Sequence, residues 1–94
     1  MKVLARYRVG RKVAAHVFAK SGYYWWNEGS PSDNVNAHGY DYSLSVNAYL
    51  NALNYAKSWA EYIGCDTVKV AFYTGETTVW KYKNHKWVVG VISA

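Results

Sequence analysis

The sequence predicts a two-layer α+β domain in which one amphipathic helix packs against antiparallel strands. Two stretches, residues 2–20 and 67–92, alternate between apolar and polar side chains, and this period of two is typical of strands. Between them, apolar residues recur at steps of three and four, which is typical of an amphipathic helix. The predicted order is a β-hairpin, a long aromatic loop, a helix and a three-stranded antiparallel meander (ββαβββ), which the 94 residues form as a single domain, 1–94.

A basic hairpin is predicted over residues 2–20, with Gly10 in its turn. Residues that oppose each other across a hairpin share one side of the sheet, and a three-residue loop from Gly10 to Lys12 keeps the apolar side chains of both strands together. That loop sets Val9 opposite Val13. It also predicts an outer face with three further pairs, namely Leu4 with Phe18, Arg6 with His16, and Arg8 with Ala14.

Residues 21–43 are predicted to form an acidic aromatic loop, because they are rich in Gly, Ser and Asn, hold the single proline and lack a helical period. Loops of this length in compact domains are usually functional or partly ordered by their own side chains. We expect Tyr23–Trp26 to extend or dock against the sheet, and residues 39–43 to add a short strand. We expect Trp26 to be structural, and we assign recognition of a partner to Tyr24, Trp25, Glu28 and Asp33.

The helix is predicted over residues 44–63. Ser43 or Ser45 can cap its first turn, and Gly64 suits the left-handed conformation that ends many helices. Three alanines on one line of the helix, at positions 52, 56 and 60, allow a close approach to a sheet. The predicted apolar stripe consists of Val46, Tyr49, Leu50, Leu53, Ala56, Trp59, Ala60 and Ile63.

The meander is predicted over residues 67–92, where β-branched and aromatic residues are frequent. Gly75-Glu76 and Asn84-His85 suit two-residue turns between its three strands. These turns predict one face with Lys69, Ala71, Tyr73, Thr78, Trp80, Tyr82, Trp87, Val89 and Val91. We expect the opposite face to lie against the helix through Val68, Val70, Phe72 and Ile92, while Lys81 and Lys83 reach past its edge.

The net charge of +5 is unevenly distributed along the chain. Residues 1–20 contain six Lys and Arg residues and no acid, residues 21–56 contain three acids and no Lys or Arg, and residues 57–94 carry a net charge of +2. Such segregation creates a directional field that attracts partners of opposite charge. Hydrophobic residues make up 51% and aromatic residues 18% of the chain, which excludes the composition of a disordered tail.

The sequence offers no motif for catalysis, for a metal or for a cofactor. His16, His38 and His85 fall in a strand, a loop and a turn without a paired ligand motif. Cys65 is the single cysteine, which excludes a disulfide framework, and no basic neighbour in sequence activates its thiol. We expect a non-enzymatic protein without metal or cofactor. The chain also lacks a long apolar stretch and an apolar leader, so we expect a cytoplasmic protein without a membrane span.

Binding is the function that these residue types favour. Lys and Arg attract phosphate, and aromatic rings stack on unpaired bases. The first hypothesis is a small binding protein that contacts nucleic acid or a nucleoprotein through the basic hairpin and aromatic residues. The residues assigned to this contact are Arg6, Arg8, Arg11, Lys12, Phe18, Lys81 and Lys83.

A protein partner is the alternative hypothesis. Tyr, Trp and Arg are enriched in the hot spots of protein interfaces, and the loop 21–43 is rich in the first two. In this case the loop is the interface of an inhibitor or adaptor, for example a phage-encoded anti-defence protein of the anti-CRISPR type. The two hypotheses differ in salt dependence, because only phosphate binding weakens steeply with added salt.

Overall fold

The computed structural model describes residues 2–29 and 41–92, in which seven strands and one helix follow one another along the chain. All seven strands pair antiparallel in one sheet, in the order β4-β3-β2-β1-β5-β6-β7. The helix α1 contacts β1 to β5 on one face, so the domain has two layers and the predicted α+β class is confirmed. The elements are β1 (Lys2–Val9), β2 (Lys12–Lys20), β3 (Tyr23–Glu28), β4 (Asp41–Ser43), α1 (Ser45–Ile63), β5 (Thr67–Phe72), β6 (Thr77–Lys83) and β7 (Lys86–Ile92).

The hairpin of β1 and β2 has the predicted register at its centre and a different one at its ends. Arg6 lies opposite His16 as predicted, but Val9 lies opposite Lys12 because the turn contains two residues, Gly10 and Arg11. Irregularities between Tyr7 and Arg8, and again between Val3 and Ala5, shift the register by one residue. Each such bulge adds one residue to one strand, and the apolar side chains at the centre of the hairpin still share one face. The predicted pairs of Leu4 with Phe18 and of Arg8 with Ala14 are therefore wrong, and the observed pairs are Val3 with Phe18 and Arg8 with Val13.

The predicted loop 21–43 contributes two strands to the sheet. The whole of β3 pairs with β2, with Trp25 opposite Phe18 and Trp26 opposite Val17, so the expectation that Tyr23–Trp26 extends along the sheet is confirmed. The short strand β4 pairs with β3, which confirms the strand expected near residues 39–43. Residues 30–40 of the predicted loop lie outside the described residues.

The C-terminal end of α1 has the predicted cap, whereas the N-terminal end does not. Gly64 adopts the left-handed conformation with φ 78°, and the Cys65 backbone N–H donates to the Ala60 carbonyl at 2.8 Å, as expected for a glycine that ends a helix. At the other end Leu44 occupies the N-cap and provides no side-chain hydrogen bond. The predicted capping role of Ser43 or Ser45 is therefore wrong, because the helix begins two residues after Ser43 and includes Ser45.

The side of α1 that meets the sheet is a line of alanines. Ala48, Ala52, Ala56 and Ala60 are completely buried, which confirms the close approach expected from small side chains. The Tyr7 hydroxyl reaches up from β1 and donates to the Tyr49 carbonyl at 2.9 Å. Three residues of the predicted apolar stripe are exposed, because they lie beside the narrow contact that the alanines make with the sheet. These residues are Val46, Leu50 and Ile63.

The connection between β5 and β6 has three residues, not the predicted two. Ala71 lies opposite Thr77, and the Phe72 backbone N–H donates to the Glu76 carbonyl at 2.9 Å, so the loop is 73–75. Side chains alternate along a strand, and this odd shift therefore reverses the faces of β6 and β7 relative to β5. The second turn, Asn84-His85, is confirmed as a two-residue turn, and both residues have positive φ.

The reversed faces correct the predicted surfaces of the meander. Val68 and Val70 face the helix as predicted, but Trp80 lies on their side of the sheet and not on the opposite one. Lys69 shares the other side with Lys81, whereas the prediction separated them. We call this side, away from α1, the open face. The predicted position of Ile92 concerns a side chain outside those that the structure describes.

Candidate functional site

The arginines of the hairpin lie on the open face beside the first strand of the meander. Arg6 is opposite Ala71 of β5, and Arg8 is opposite Lys69. The side chains of Arg6, Arg8 and Lys69 are all exposed. Because β5 adds to the sheet directly beside β1, cations from the two ends of the sequence form one surface.

Three lysines of β6 and β7 extend this surface. Lys81 lies opposite Thr67, and its Nζ donates to the Thr67 hydroxyl at 2.8 Å. Lys83 lies directly opposite Lys86 across the turn between β6 and β7. Neighbouring strands are about 4.8 Å apart, so these side chains cover a width of about 14 Å from β1 to β7. We call the set the cationic face: Arg6, Arg8, Lys69, Lys81, Lys83 and Lys86.

The remaining two predicted cations occupy the tip of the hairpin and do not both belong to the cationic face. Arg11 is exposed in the turn after β1, at the end of the sheet where β6 finishes with Lys83. Lys12 is opposite Val9 and lines a cavity on the helix side with Tyr55 and Trp59. The structure thus brings together Arg6, Arg8, Lys81 and Lys83 of the predicted residues, and it adds two that sequence reasoning missed, Lys69 and Lys86.

One described acid lies close to this face, because the Asp66 carboxylate accepts from the Thr67 hydroxyl at 2.9 Å, the same hydroxyl to which Lys81 donates. Glu61 is on α1, Asp66 precedes β5, Glu76 directly precedes β6, and Glu28 lines a cavity on the helix side. No ion pair within residues 2–29 and 41–92 neutralises a member of the cationic face.

Phe18 is not available to a ligand, which corrects its assignment to the nucleic-acid contact. Its side chain is completely buried, and its ring stacks on His16 with the centroids 5.1 Å apart. The alternation of β2 predicts that the Phe18 ring faces away from α1, but it does not predict whether that side of the strand is exposed. The sequence prediction therefore placed the ring on an exposed outer face. Five consecutive residues of β2, from Ala14 to Phe18, are buried, so both sides of this strand are covered.

His16 is a buried, neutral residue next to the cationic face. Its Nδ1–H donates to the Gly29 carbonyl at 3.1 Å, while Nε2 is buried and has no hydrogen-bond partner among the residues that the structure describes. Burial lowers the pKa of the imidazole, the Gly29 carbonyl partly opposes this shift, and the charge of Arg6 lowers it further. A cation here would lie beside Arg6 without a counter-charge, so His16 supports the strand and is not a phosphate ligand.

A second cluster on the open face is formed by three aromatic residues at the β3–β4 edge. Tyr42 lies opposite Trp25, with the ring centroids 5.2 Å apart, and its ring also meets the edge of Tyr23 at 5.6 Å. The Trp25 indole N–H donates to the Lys20 carbonyl at 3.1 Å, which fixes the ring on the sheet. We call Tyr23, Trp25 and Tyr42 the aromatic edge.

The four residues assigned to a protein partner do not form one surface. Trp25 belongs to the aromatic edge, whereas Tyr24 is on the helix side of β3 and 38% exposed. Glu28 lines the cavity that also contains Lys12. Asp33 lies outside the described residues. Trp26, expected to be structural, packs against the core and approaches Tyr55 with the ring centroids 6.0 Å apart.

The helix side of the meander carries an apolar groove, because the backbone of α1 lies away from β6 and β7 and only long side chains of the helix reach them. Trp80 lies on this side, with the Lys57 ammonium 4.0 Å from its ring centre, and burial lowers the pKa of that ammonium. The Trp87 indole N–H donates to the Glu61 carboxylate at 3.2 Å. The groove has a volume of about 170 Å³, and Leu50, Leu53, Phe72, Trp80 and Val89 are among its lining residues.

Groups that could carry other chemistry are dispersed. Within the part of the chain that the structure describes, no group of three His, Cys, Asp or Glu side chains is placed to hold a metal ion. Cys65 is half-buried, and its thiol donates to the Thr67 carbonyl at 3.4 Å. α1, the one helix of the described chain, is not both long and apolar enough to cross a bilayer.

Comparisons of the chain with protein-family models, with curated proteins and with solved structures found no match. The cationic face and the aromatic edge are the two surfaces of the described chain that are suited to binding a partner.

Proposed function

We propose that the protein is a non-enzymatic binding protein that holds the phosphate backbone of nucleic acid on its cationic face. The observation that carries the proposal is the direct opposition of like charges. Arg8 is opposite Lys69, and Lys83 is opposite Lys86. Like charges directly opposite in a sheet are destabilising, and an anionic ligand that bridges the two strands removes that cost.

The form of nucleic acid follows from what lies between the cations. The residues of the open face that separate them are small or aliphatic, such as Ala71, Val79, Val88 and Gly90. Single-stranded nucleic acid is usually held by rings that stack on its bases, and the rings of β6 and β7, namely Trp80, Tyr82 and Trp87, lie on the helix side. The cationic face therefore favours the continuous phosphate backbone of a duplex, read without sequence preference. The proposal includes a cytoplasmic location.

One pair of variants tests the proposal with a matched control. Lys69→Gln removes a charge from the cationic face and ends the opposition to Arg8, so it should weaken binding to a mixed-sequence duplex. It should also leave the free energy of unfolding unchanged or raise it by up to about 1 kcal/mol at low salt. Lys2→Gln removes the same charge at the far end of β1, where the ammonium lies 4.6 Å from the Tyr73 ring centre.

Fluorescence anisotropy with a labelled duplex measures the affinity, and urea denaturation measures the stability. The proposal expects Lys69→Gln to bind more weakly than Lys2→Gln while it is at least as stable as the parent protein. Equal affinity for the two variants would show that net charge alone attracts the nucleic acid. Stronger binding to a single strand than to the duplex would contradict the form proposed for the ligand.

A protein partner is the second candidate, and the aromatic edge is the observation that favours it. Tyr23 and Tyr42 expose 56% and 58% of their surface beside the half-buried Trp25. Rings clustered in this way are frequent in protein interfaces. An inhibitor or adaptor, including the anti-defence type, would use this edge, and Tyr42→Ala would then weaken its complex at high and low salt alike.

A further inference from the structure

The two edges of the sheet are built differently. The edge strand β4 has three residues, whereas β7, at the other edge, has seven. β7 pairs with β6 over seven consecutive residue pairs, from Lys86 opposite Lys83 to Ile92 opposite Thr77, without a bulge. Within residues 2–29 and 41–92 no strand pairs with the outer edge of β7, which therefore presents a long, regular row of backbone N–H and C=O groups.

The sequence of β7 lacks the usual protection of an edge strand. From Trp87 to Ile92 it contains no charged residue and no proline. Val88 and Val89 point to opposite faces, yet they expose 45% and 48% of their surface. Natural edge strands usually avoid pairing with other chains through charges, prolines or bulges, so an edge without them is a template for another strand.

We propose that β7 pairs antiparallel with β7 of a second copy of this chain, about a two-fold axis at Val89. A strand that is apolar on both faces is complemented by another strand that is apolar on both faces. β7 of a second copy is such a strand. The axis at Val89 sets Val88 opposite Gly90 of the partner subunit. A side chain added at Gly90 would meet only the Val79 carbonyl, at 3.9 Å, so this position leaves open space for the opposing valine.

The position of the single charge of β7 favours the antiparallel arrangement. Lys86 is the only charged residue of the strand, and it lies three residues from the proposed axis. At about 3.4 Å per residue, the two Lys86 side chains are then about 20 Å apart, beyond the screening length of about 8 Å at physiological salt. A parallel pair in register would instead place the two lysines side by side.

The proposed pairing joins two sheets into one and keeps both helices on the same side. Both cationic faces then lie on the other side, next to each other, because β6 and β7 are the strands closest to the axis. This geometry would lengthen the surface offered to a duplex. The pairing itself does not depend on nucleic-acid binding, since it follows from β7 alone.

Sedimentation equilibrium of the nuclease-treated full chain tests the proposal over about 1 to 500 μM protein, a range that covers micromolar dissociation constants. The expected result is a rise from the monomer mass of 10.7 kDa to twice that value. Val88→Lys places a charge at the centre of the pairing and should keep the protein monomeric. Val46→Lys makes the same exchange at a residue of α1 that is 65% exposed, and it should dimerise like the parent protein.

A second variant keeps the test informative if Val88→Lys does not fold. Gly90→Val fills the space opposite Val88 with little effect on the monomer, so it should weaken dimerisation at least about tenfold. A parent protein that stays monomeric over the whole range would overturn the proposal. A dimer that survives both β7 variants, or one that Val46→Lys disrupts equally, would overturn it as well, because the contact would then lie elsewhere.

Discussion

Truncation of Leu53 tests the orientation of α1 on the sheet. Leu53 is 8% exposed, and it lines the apolar groove together with Val70 and Trp80. Leu53→Ala removes three carbon atoms, which at about 0.8 kcal/mol per buried group amounts to about 2.4 kcal/mol. The space left behind opens into the groove and is not sealed, so the further cost of an enclosed cavity is small. We therefore expect the free energy of unfolding to fall by about 2 to 3 kcal/mol.

Urea denaturation followed by far-ultraviolet circular dichroism measures this loss, and an unchanged slope with denaturant shows that only stability has changed. Leu50→Ala is the matched control, because Leu50 lies less than one turn away and is 49% exposed. About half of its surface is already in water, so its truncation should cost about 1 kcal/mol or less. If Leu50→Ala costs as much as Leu53→Ala, α1 does not contact the sheet through the side described above.

Three further predictions concern the core and the aromatic residues. The free energy of unfolding should fall as the pH drops below about 6.5, because burial lowers the pKa of His16 and the unfolded chain then takes up a proton that the folded chain does not. His16→Gln should reduce this fall, measured by urea titrations at pH 7 and pH 5. Tyr7→Phe should cost about 1 kcal/mol in the same assay at neutral pH, because it removes the hydrogen bond that the buried Tyr7 hydroxyl donates to the Tyr49 carbonyl. An unchanged midpoint would contradict that hydrogen bond. Trp26→Ala should lower the melting temperature more than Trp25→Ala, whereas Trp25→Ala should weaken binding of a protein partner. If Trp25→Ala lowers the melting temperature more and Trp26→Ala weakens binding, the structural and recognition roles are exchanged.

The class of the fold and its central registers follow from periodicity in the sequence. Apolar alternation identifies β1 and β2, the three- and four-residue repeat identifies α1, and Gly64 marks the end of the helix. These signals are local, and each depends on a few neighbouring residues. The strand β3 is harder to recognise, because Tyr23, Tyr24, Trp25 and Trp26 are aromatic on both faces and show no alternation.

The composition of the cationic face depended on loop lengths that the sequence does not determine. Gly75-Glu76 resembles a two-residue turn, yet the backbone closes over three residues, and this single difference moves Lys81 and Lys83 to the side of Lys69. The proximity of Arg8 to Lys69 also requires that β5 add to β1, a long-range pairing without a local signal. Residue types in the sequence could indicate phosphate binding, but only the register shows which cations share a face.

The salt dependence of duplex binding is the most direct test of the cationic face. The observed binding constant should fall linearly with salt on a double-logarithmic plot, with a slope of about 0.9 for each phosphate that the protein neutralises. A variant in which Arg8, Lys69, Lys83 and Lys86 are all changed to Gln should lower that slope by about 3 to 4 units at a constant helical and strand content. If the slope of this variant equals that of the parent protein, the cationic face does not contact the phosphate backbone.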